Sequence, residues 1–292
     1  QLMRYFVLIL ISSINLYSQE IVEKDSLWTT RGNIAVLLNQ TGFSDWIGGG
    51  TNNFSGTLKF DYEWEYKDKG WDWLTNVESA FGLAKYKNAP FARKIDDRIL
   101  VQSIIGKEFS RNLSFSAFFN FTSQIGNGFK YKKDSENNEI RELTTRIFSP
   151  AYFQLGSGFL WKKDERLWVN YSPLATRLIL VSKNFTSSLP ENETYFGVTQ
   201  NKSSRYELGS NLTFHSEGAI SENVNYKQDL KLFSNYLEDP SNIDLDYLVQ
   251  IEIDVNPLLS TQLIFQLIYD DNAVARLQVR EVFGVGVQLK LN

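Results

Sequence analysis

His215 is the only histidine in a chain of 292 residues that contains no cysteine. An imidazole is the usual base behind a serine nucleophile, so any Ser-His hydrolase chemistry in this chain rests on that one side chain. Without a thiol there is no cysteine nucleophile, no thiolate metal site, no disulfide framework and no acylated cysteine anchor. Carboxylates are plentiful, and paired carboxylates can hydrolyse glycosides, but no pair stands apart from the other acids. Asp134-Ser135-Glu136-Asn137-Asn138-Glu139 has the oxygen ligands of a calcium loop but lacks the glycine that makes its sharp turn. Asp270-Asp271-Asn272 is a short acidic cluster, and both segments read as solvated loop charge. Neither a GxxxxGK[ST] nor a GxGxxG pattern occurs, so no nucleotide site is expected. The formal charge of -4, with no basic stripe, excludes nucleic acid as a partner. No catalytic residue, cofactor or metal is expected, and the reading is non-enzymatic.

The elements that must position these groups are β-strands. In 54–66 the apolar residues Phe54, Leu58, Phe60, Tyr62, Trp64 and Tyr66 alternate with Ser55, Thr57, Lys59, Asp61, Glu63 and Glu65. Period two puts the two sets on opposite faces of one strand. Residues 112–122, with Phe118 as the exception, 205–215, 224–236, 243–255 and 283–291 repeat the pattern. Less regular candidates lie near 30–38, 72–84, 97–109, 152–163, 167–180 and 261–270, for about twelve strands in all.

A soluble barrel buries its apolar face, whereas a membrane barrel turns that face to lipid and keeps polar residues in the lumen. The connections separate the two. Links at 39–53, 85–96, 125–151, 181–204, 237–242 and 271–281 are mostly long, and they alternate with short turns at 67–70, 110–111, 164–166, 218–219 and 256–260. Short periplasmic turns and long outer loops around an even number of strands predict a transmembrane antiparallel up-and-down β-barrel with both termini in the periplasm. Trp64, Trp71, Trp73, Trp161 and Trp168 then gather beside the short turns as one aromatic girdle, with Tyr236, Tyr247, Tyr269 and Phe283 at the opposite interface. His215 shares the polar face of Asn211 and Thr213 and falls at the periplasmic end. Both placements are wrong for a lipid-facing outer-leaflet hydrolase.

The N-terminus agrees with export. Arg4, the apolar run Tyr5 to Ile11 and the polar stretch to Ser18 read as a signal peptide over 1–18, too short for a membrane anchor. A periplasmic segment over 19–29 and a barrel over 30–292 follow. Asn33 to Asn53, with Asn39, Phe43, Trp46 and Gly48-Gly49-Gly50 ahead of an amphipathic strand, resembles Bacteroidota outer-membrane proteins of a family of unknown function, domain of unknown function 3078. The resemblance implies an outer-membrane barrel and brings no activity or catalytic residue. The Trp46 and triple-glycine loop reads as a binding feature or, in preference, as a backbone whose glycines let it fold over the barrel mouth. Asp25-Ser26-Leu27 resembles the Bacteroidota O-glycosylation acceptor, which would place a glycan on Ser26.

On this topology Lys59, Asp61, Glu63, Glu65, Asp72, Glu78, Lys227, Asp229, Lys231, Asp244, Asp246, Glu252 and Asp254 face the lumen, with an acidic excess. Half-buried charges must be paired, so they are expected to cross-link the interior, with Lys227 near Glu252 if 237–242 closes a symmetric hairpin. Two functions fit. One is a structural or accessory barrel that sits in outer-membrane lipid and lipopolysaccharide and docks other outer-membrane proteins or surface lipoproteins. The other is a narrow channel or transporter for a small solute, with a weak preference for cations.

Overall fold

The computed structural model describes residues 27–42 and 51–291. Twelve antiparallel strands form a closed barrel. They are β1 (Trp28–Thr41), β2 (Asn53–Asp68), β3 (Trp71–Tyr86), β4 (Arg93–Ser110), β5 (Leu113–Ser123), β8 (Ala151–Asp164), β9 (Leu167–Leu180), β12 (Ser204–Ser221), β13 (Val224–Asn235), β14 (Ile243–Asp254), β15 (Leu259–Asp270) and β16 (Val274–Leu291). Closure is made by β1 on β16, from Gly32 opposite Leu291 to Leu38 opposite Val285. Two small hairpins stand outside the barrel sheet: β6 (Gly128–Lys133) with β7 (Glu139–Thr145), and β10 (Thr194–Tyr195) with β11 (Val198–Thr199). One helical turn, α1 (Lys183–Thr186), lies in the same link as the β10–β11 hairpin, between β9 and β12.

The apolar face points outward. Phe115 is 57% exposed while its neighbour Ser116 is 7%, Tyr171 is 46% while Ser172 is 0%, and Val287 is 51% while Gln288 is 4%. Water would penalise such an outer surface, and a bilayer rewards it, so the alternation defines a transmembrane barrel whose closed sheet leaves no unpaired edge in lipid. Among the described residues no helix is long and apolar enough to cross a membrane. The strands do the crossing.

Short turns lie at one end, and the other carries the long loops together with a short turn at 271–273. Between β2 and β3, Lys69 and Gly70 both take positive φ, 48° and 77°, the type I′ geometry that matches the twist of a two-residue hairpin. Asp164 opposite Leu167 and Ser221 opposite Val224 close two further turns of the same length. The turn expected at 218–219 is therefore at Glu222-Asn223, because β12 runs on to Ser221. The long link expected at 271–281 is corrected to a turn at 271–273, because Asp270 pairs Val274 and β16 begins there. The barrel likewise starts at Trp28 rather than at residue 30.

The irregularity of 167–180 has a definite cause. In β9, Ala175 pairs Gly209 but Ser172 pairs Asn211, so Pro173 and Leu174 together oppose Ser210. Proline has no N–H to give a ladder, and a bulge is where a sheet accommodates it. The extra residue reverses parity: Trp168, Asn170 and Ser172 face inward below the bulge, and Ala175, Arg177 and Ile179 face inward above it.

The long loops fold back over their end of the barrel. Asp97 accepts the backbone N–H groups of Ile125 (2.7 Å) and Gly126 (3.1 Å), fixing the start of the 124–150 loop. Ile179, Val181 and Val198 form an apolar cluster with Tyr152, Tyr195 and Phe196, so the β10–β11 hairpin is seated against the barrel mouth. The Tyr195 hydroxyl donates to the Thr144 carbonyl at 2.5 Å, and burial pushes its pKa up to about 12, which keeps it a donor.

Candidate functional site

The lumen is crossed by side chains from opposite walls. Glu78 on β3 accepts from Lys227 on β13 at 2.9 Å, and those strands are six steps apart whichever way the barrel order is followed. Glu78 also accepts from Arg98 on the neighbouring β4 at 3.2 Å, and Lys227 lies 3.9 Å from Asp61. Three further chords repeat the arrangement. Lys162 reaches Glu65 (2.9 Å) and Asp72 (2.5 Å), Arg31 joins Glu63 (2.7 Å) to Glu217 (3.0 Å), and Arg280 holds Asp96 (2.9 Å). At the loop end Arg177 pairs with both Glu207 and Asp244 and lies 4.3 Å over the Phe233 ring. Arg205 donates to Glu207 (2.7 Å) and to the Gly197 carbonyl (3.2 Å), tying the β10–β11 hairpin to the wall.

Two cavities lie along this axis. One, of about 510 Å³, is lined by Arg31, Glu63, Glu217 and Gln250 on the short-turn side. The other, of about 410 Å³, is lined by Leu100, Tyr152, Phe196 and Arg280 on the loop side. Both touch Glu78 and Arg98, so the bridge stands between them. Beside it a chamber of about 40 Å³ is lined by Asn76, Gln102, Asn120, Asn170 and Trp168. Trp168 Nε1 and Asn76 Oδ1 have no side-chain or backbone partner there, and the space suits a few ordered waters. Phe118, Phe233 and Ala175, with Ile104, pack as an apolar layer inside the barrel, which explains why Phe118 broke the alternation of β5.

The lumen charges expected from sequence fall as follows. Lys59 donates to Gln262 (2.7 Å), Asp246 accepts from Gln266 (2.8 Å), Lys290 donates to Asp254 (3.2 Å), and Asp229 lies 2.7 Å from His215 Nδ1. Glu252 lines the short-turn cavity, and Lys231 lines the loop-side one. The expected approach of Lys227 to Glu252 is corrected: Lys227 is opposite Gln250, and Glu252 is opposite Asn225. The register is two residues from the symmetric one: Ser234 rather than Tyr236 pairs with Ile243, and the Tyr236 N–H goes to the Leu208 carbonyl of β12 (2.7 Å).

Trp71, Trp73 and Trp161 are exposed on the outer face near the short turns, and Trp64 packs against Tyr62 with tilted rings, 4.6 Å between ring centres. Trp28, which sequence reading left outside the barrel, joins them 5.6 Å from Trp73. Trp168 does not. It is 8% exposed and stacks on His215 inside the lumen, with 5.1 Å between ring centres, because the Pro173 bulge reverses its parity. At the other end Tyr236 faces outward, and the Tyr247 hydroxyl bonds Gln228. Tyr269 pairs with Leu245 there. Phe283 also faces outward but lies mid-strand rather than at that interface, because β16 begins at Val274. Asn39 sits in β1 opposite Ser55. Phe43, Trp46, Gly48, Gly49, Gly50, Ser26 and the signal-peptide reading lie outside the described residues.

His215 is one member of a row. Trp168, His215 and Asp229 are direct cross-strand neighbours on β9, β12 and β13, and His215 is buried among them. Sequence reading missed Arg31, Asp96, Arg98, Lys162, Arg177, Glu207 and Arg280. In β4 Leu100 and Ile104 share the parity of Arg98 and blur the alternation, and in β9 the bulge hides the parity of Arg177. Asp244, Asp270 and Asp271 bring carboxylates within 4.8 Å of one another. Arg177 already holds Asp244, and the N–H groups of Asn272 and Ala273 hold Asp270, so the cluster is internally satisfied.

The fold and its lumen define a transmembrane β-barrel protein. A family model described as "Protein of unknown function (DUF3078)" matches residues 38–129. No curated protein matches the chain. Among solved structures, the barrel resembles the translocator domain of the autotransporter NalP from Neisseria meningitidis (9% identity, 91% of this chain and 88% of that one, TM-score 0.42). It also resembles an outer membrane channel from Pseudomonas putida F1 (11%, 92% and 99%, 0.35) and the P. putida toluene transporter TodX (10%, 91% and 89%, 0.36).

Two predictions follow from the charge pairing. Glu78→Ala leaves Lys227 and Arg98 without their shared acceptor. Its urea-unfolding free energy in lipid vesicles is expected to fall by about 3–5 kcal/mol, and Glu78→Ala/Lys227→Met should recover part of the loss. At the short turns, Glu165 accepts from Lys67, and that bond holds its carboxyl at a pKa of about 2, below the ordinary 4.5. A depressed folded-state pKa stabilises above the unfolded value and is lost as pH falls toward the folded one. The stability difference between the parent and Glu165→Gln should therefore persist from neutral pH to about 4.5 and vanish near pH 2. A difference that stays constant across that window would contradict the pairing.

Proposed function

We propose that this chain is an outer-membrane barrel, with both termini in the periplasm, that passes a small solute along a narrow lumen closed at mid-height by the Glu78 bridge. The observation that carries the reading is the pair of cavities, about 510 and 410 Å³, that meet at Glu78 and Arg98. A side-chain-filled barrel with a purely structural role has no need of polar chambers on both sides of one ion pair. The cation preference expected from the acids of β2, β13 and β14 is not part of this reading, since Arg31, Arg98, Arg177 and Arg280 enter the same lumen from other strands.

The protein is proposed to be non-enzymatic. His215 is sandwiched between Trp168 and Asp229, and the nearby Ser216 hydroxyl bonds Tyr226 instead. A second reading, an accessory subunit of a larger outer-membrane complex, draws support from the loop end, where Ile140, Leu143, Ile147 and Phe148 stand exposed on and beside the β6–β7 hairpin. These apolar residues would suit a protein neighbour.

Planar-bilayer recording separates the readings. The parent should show small or brief openings, and Glu78→Ala/Lys227→Ala should show wider and steadier ones. Silence from both, together with a stable complex recovered from native membranes, would overturn the solute reading in favour of the accessory one.

A further inference from the structure

We propose that the loop-side cavity is a binding site for a small organic carboxylate with an apolar body. Its volume of about 410 Å³ falls in the range of roughly 300–1,000 Å³ found for small-molecule sites. Such sites set a few placed polar groups against apolar walls. Here Leu100, Leu248 and Phe196 supply the apolar side, and Arg98, Lys231 and Arg280 supply the polar one.

The hydrogen bonding of this wall is lopsided. Each carboxylate on it is already engaged: Glu78 by Lys227 and Arg98, Asp97 by Lys94 and two backbone N–H groups, Asp229 by His215, and Asp246 by Gln266. The donors are not. Lys231 lies opposite Asp246 on the β13–β14 ladder, yet among the described residues its ammonium makes no hydrogen bond or ion pair. Arg98 gives Nη2 to Glu78 and, among the same residues, makes no hydrogen bond through Nη1, whereas Arg280 gives its two terminal nitrogens to Gln266 and Asp96; the Nε of each arginine is shut away from the cavity. The Tyr152 hydroxyl and the Gln278 amide, on the same wall, also make no hydrogen bond.

A half-enclosed cation without an acceptor is costly, so what this wall lacks is an anionic oxygen. An inorganic anion would meet the donors and leave the Leu100–Leu248–Phe196 side unused. A neutral apolar solute would do the reverse. A carboxylate attached to a compact hydrocarbon body satisfies both, the charged end on Lys231 and the arginines and the body on the aliphatic wall.

The inference deepens the solute reading, but binding and conduction are measured separately. Isothermal titration calorimetry on the detergent-solubilised full barrel tests it, with benzoate and cyclohexanecarboxylate as probes and benzyl alcohol and inorganic phosphate as controls. The expected result is saturable binding of both carboxylates, at least tenfold weaker in Lys231→Met, with little binding of either control. Should Lys231→Met fail to fold, as judged by heat-modifiable gel migration, Gln278→Leu serves as the second variant, with weakened binding expected again. Equal affinity for benzyl alcohol, equal affinity for phosphate, unchanged affinity in the folded variant, or no saturable carboxylate binding would each overturn the assignment. Binding without conductance would leave the site standing while the channel falls.

Discussion

The bridge from Glu78 to Lys227 joins opposite walls of the barrel, and the rest of the lumen is arranged under the constraint it exposes. A strand whose outer face meets lipid has one other face for its charges, and that face looks into a narrow interior. A charge placed there must find a partner within a few ångströms or carry a desolvation cost. Adjacent strands supply some partners, as Arg31 and Glu63 do. Others come from far around the ring, as with Lys162 and Glu65 or Arg280 and Asp96. Pairs of the second kind brace the barrel across its diameter and narrow its bore in the same act.

The two ends of the molecule use different physics. At the short turns, outward tryptophans and an exposed ion pair between Lys67 and Glu165 mark an interface with water. At the loop end, Arg177 and Arg205 clamp Glu207 from two sides, and the apolar cluster of Ile179, Val181 and Val198 seats a hairpin over the mouth. The loops thus belong to the lumen as much as to the outer surface. Phe196, at the tip of that hairpin, lines the same cavity as Arg280, deep in the wall.

Much of the fold was legible in the sequence because period two is a strong signal when one face is lipid and the other is charged. The alternation of β2 and β14 places Lys59, Asp61, Asp244 and Asp246 on the inner face without further information. Where the signal failed, the causes are local and physical. Pro173 forces a bulge that reverses parity, so Trp168 reads as an outer girdle residue and lies inside, while Arg177 is hidden. In β4 apolar residues occupy both faces around Arg98, since Leu100 and Ile104 pack inward against the lumen's own apolar groups. The β13–β14 register is shifted by two residues from a symmetric hairpin while the Tyr236 N–H bonds β12, a tertiary pairing that neither strand encodes. Partners across the lumen were not legible at all, because strands six places apart in the ring share no register that spacing along the chain could reveal.

The central claim is that one face of every strand meets lipid and the other a braced, polar lumen. The absence of native cysteine allows it to be tested one position at a time. Single cysteines along β2 at 57 to 63, each carrying an environment-sensitive fluorophore in vesicles with brominated lipid, report which face meets the bilayer. The account predicts strong quenching at Leu58, Phe60 and Tyr62 and little at Thr57, Lys59, Asp61 and Glu63. Uniform quenching along the strand, or the opposite alternation, would contradict it.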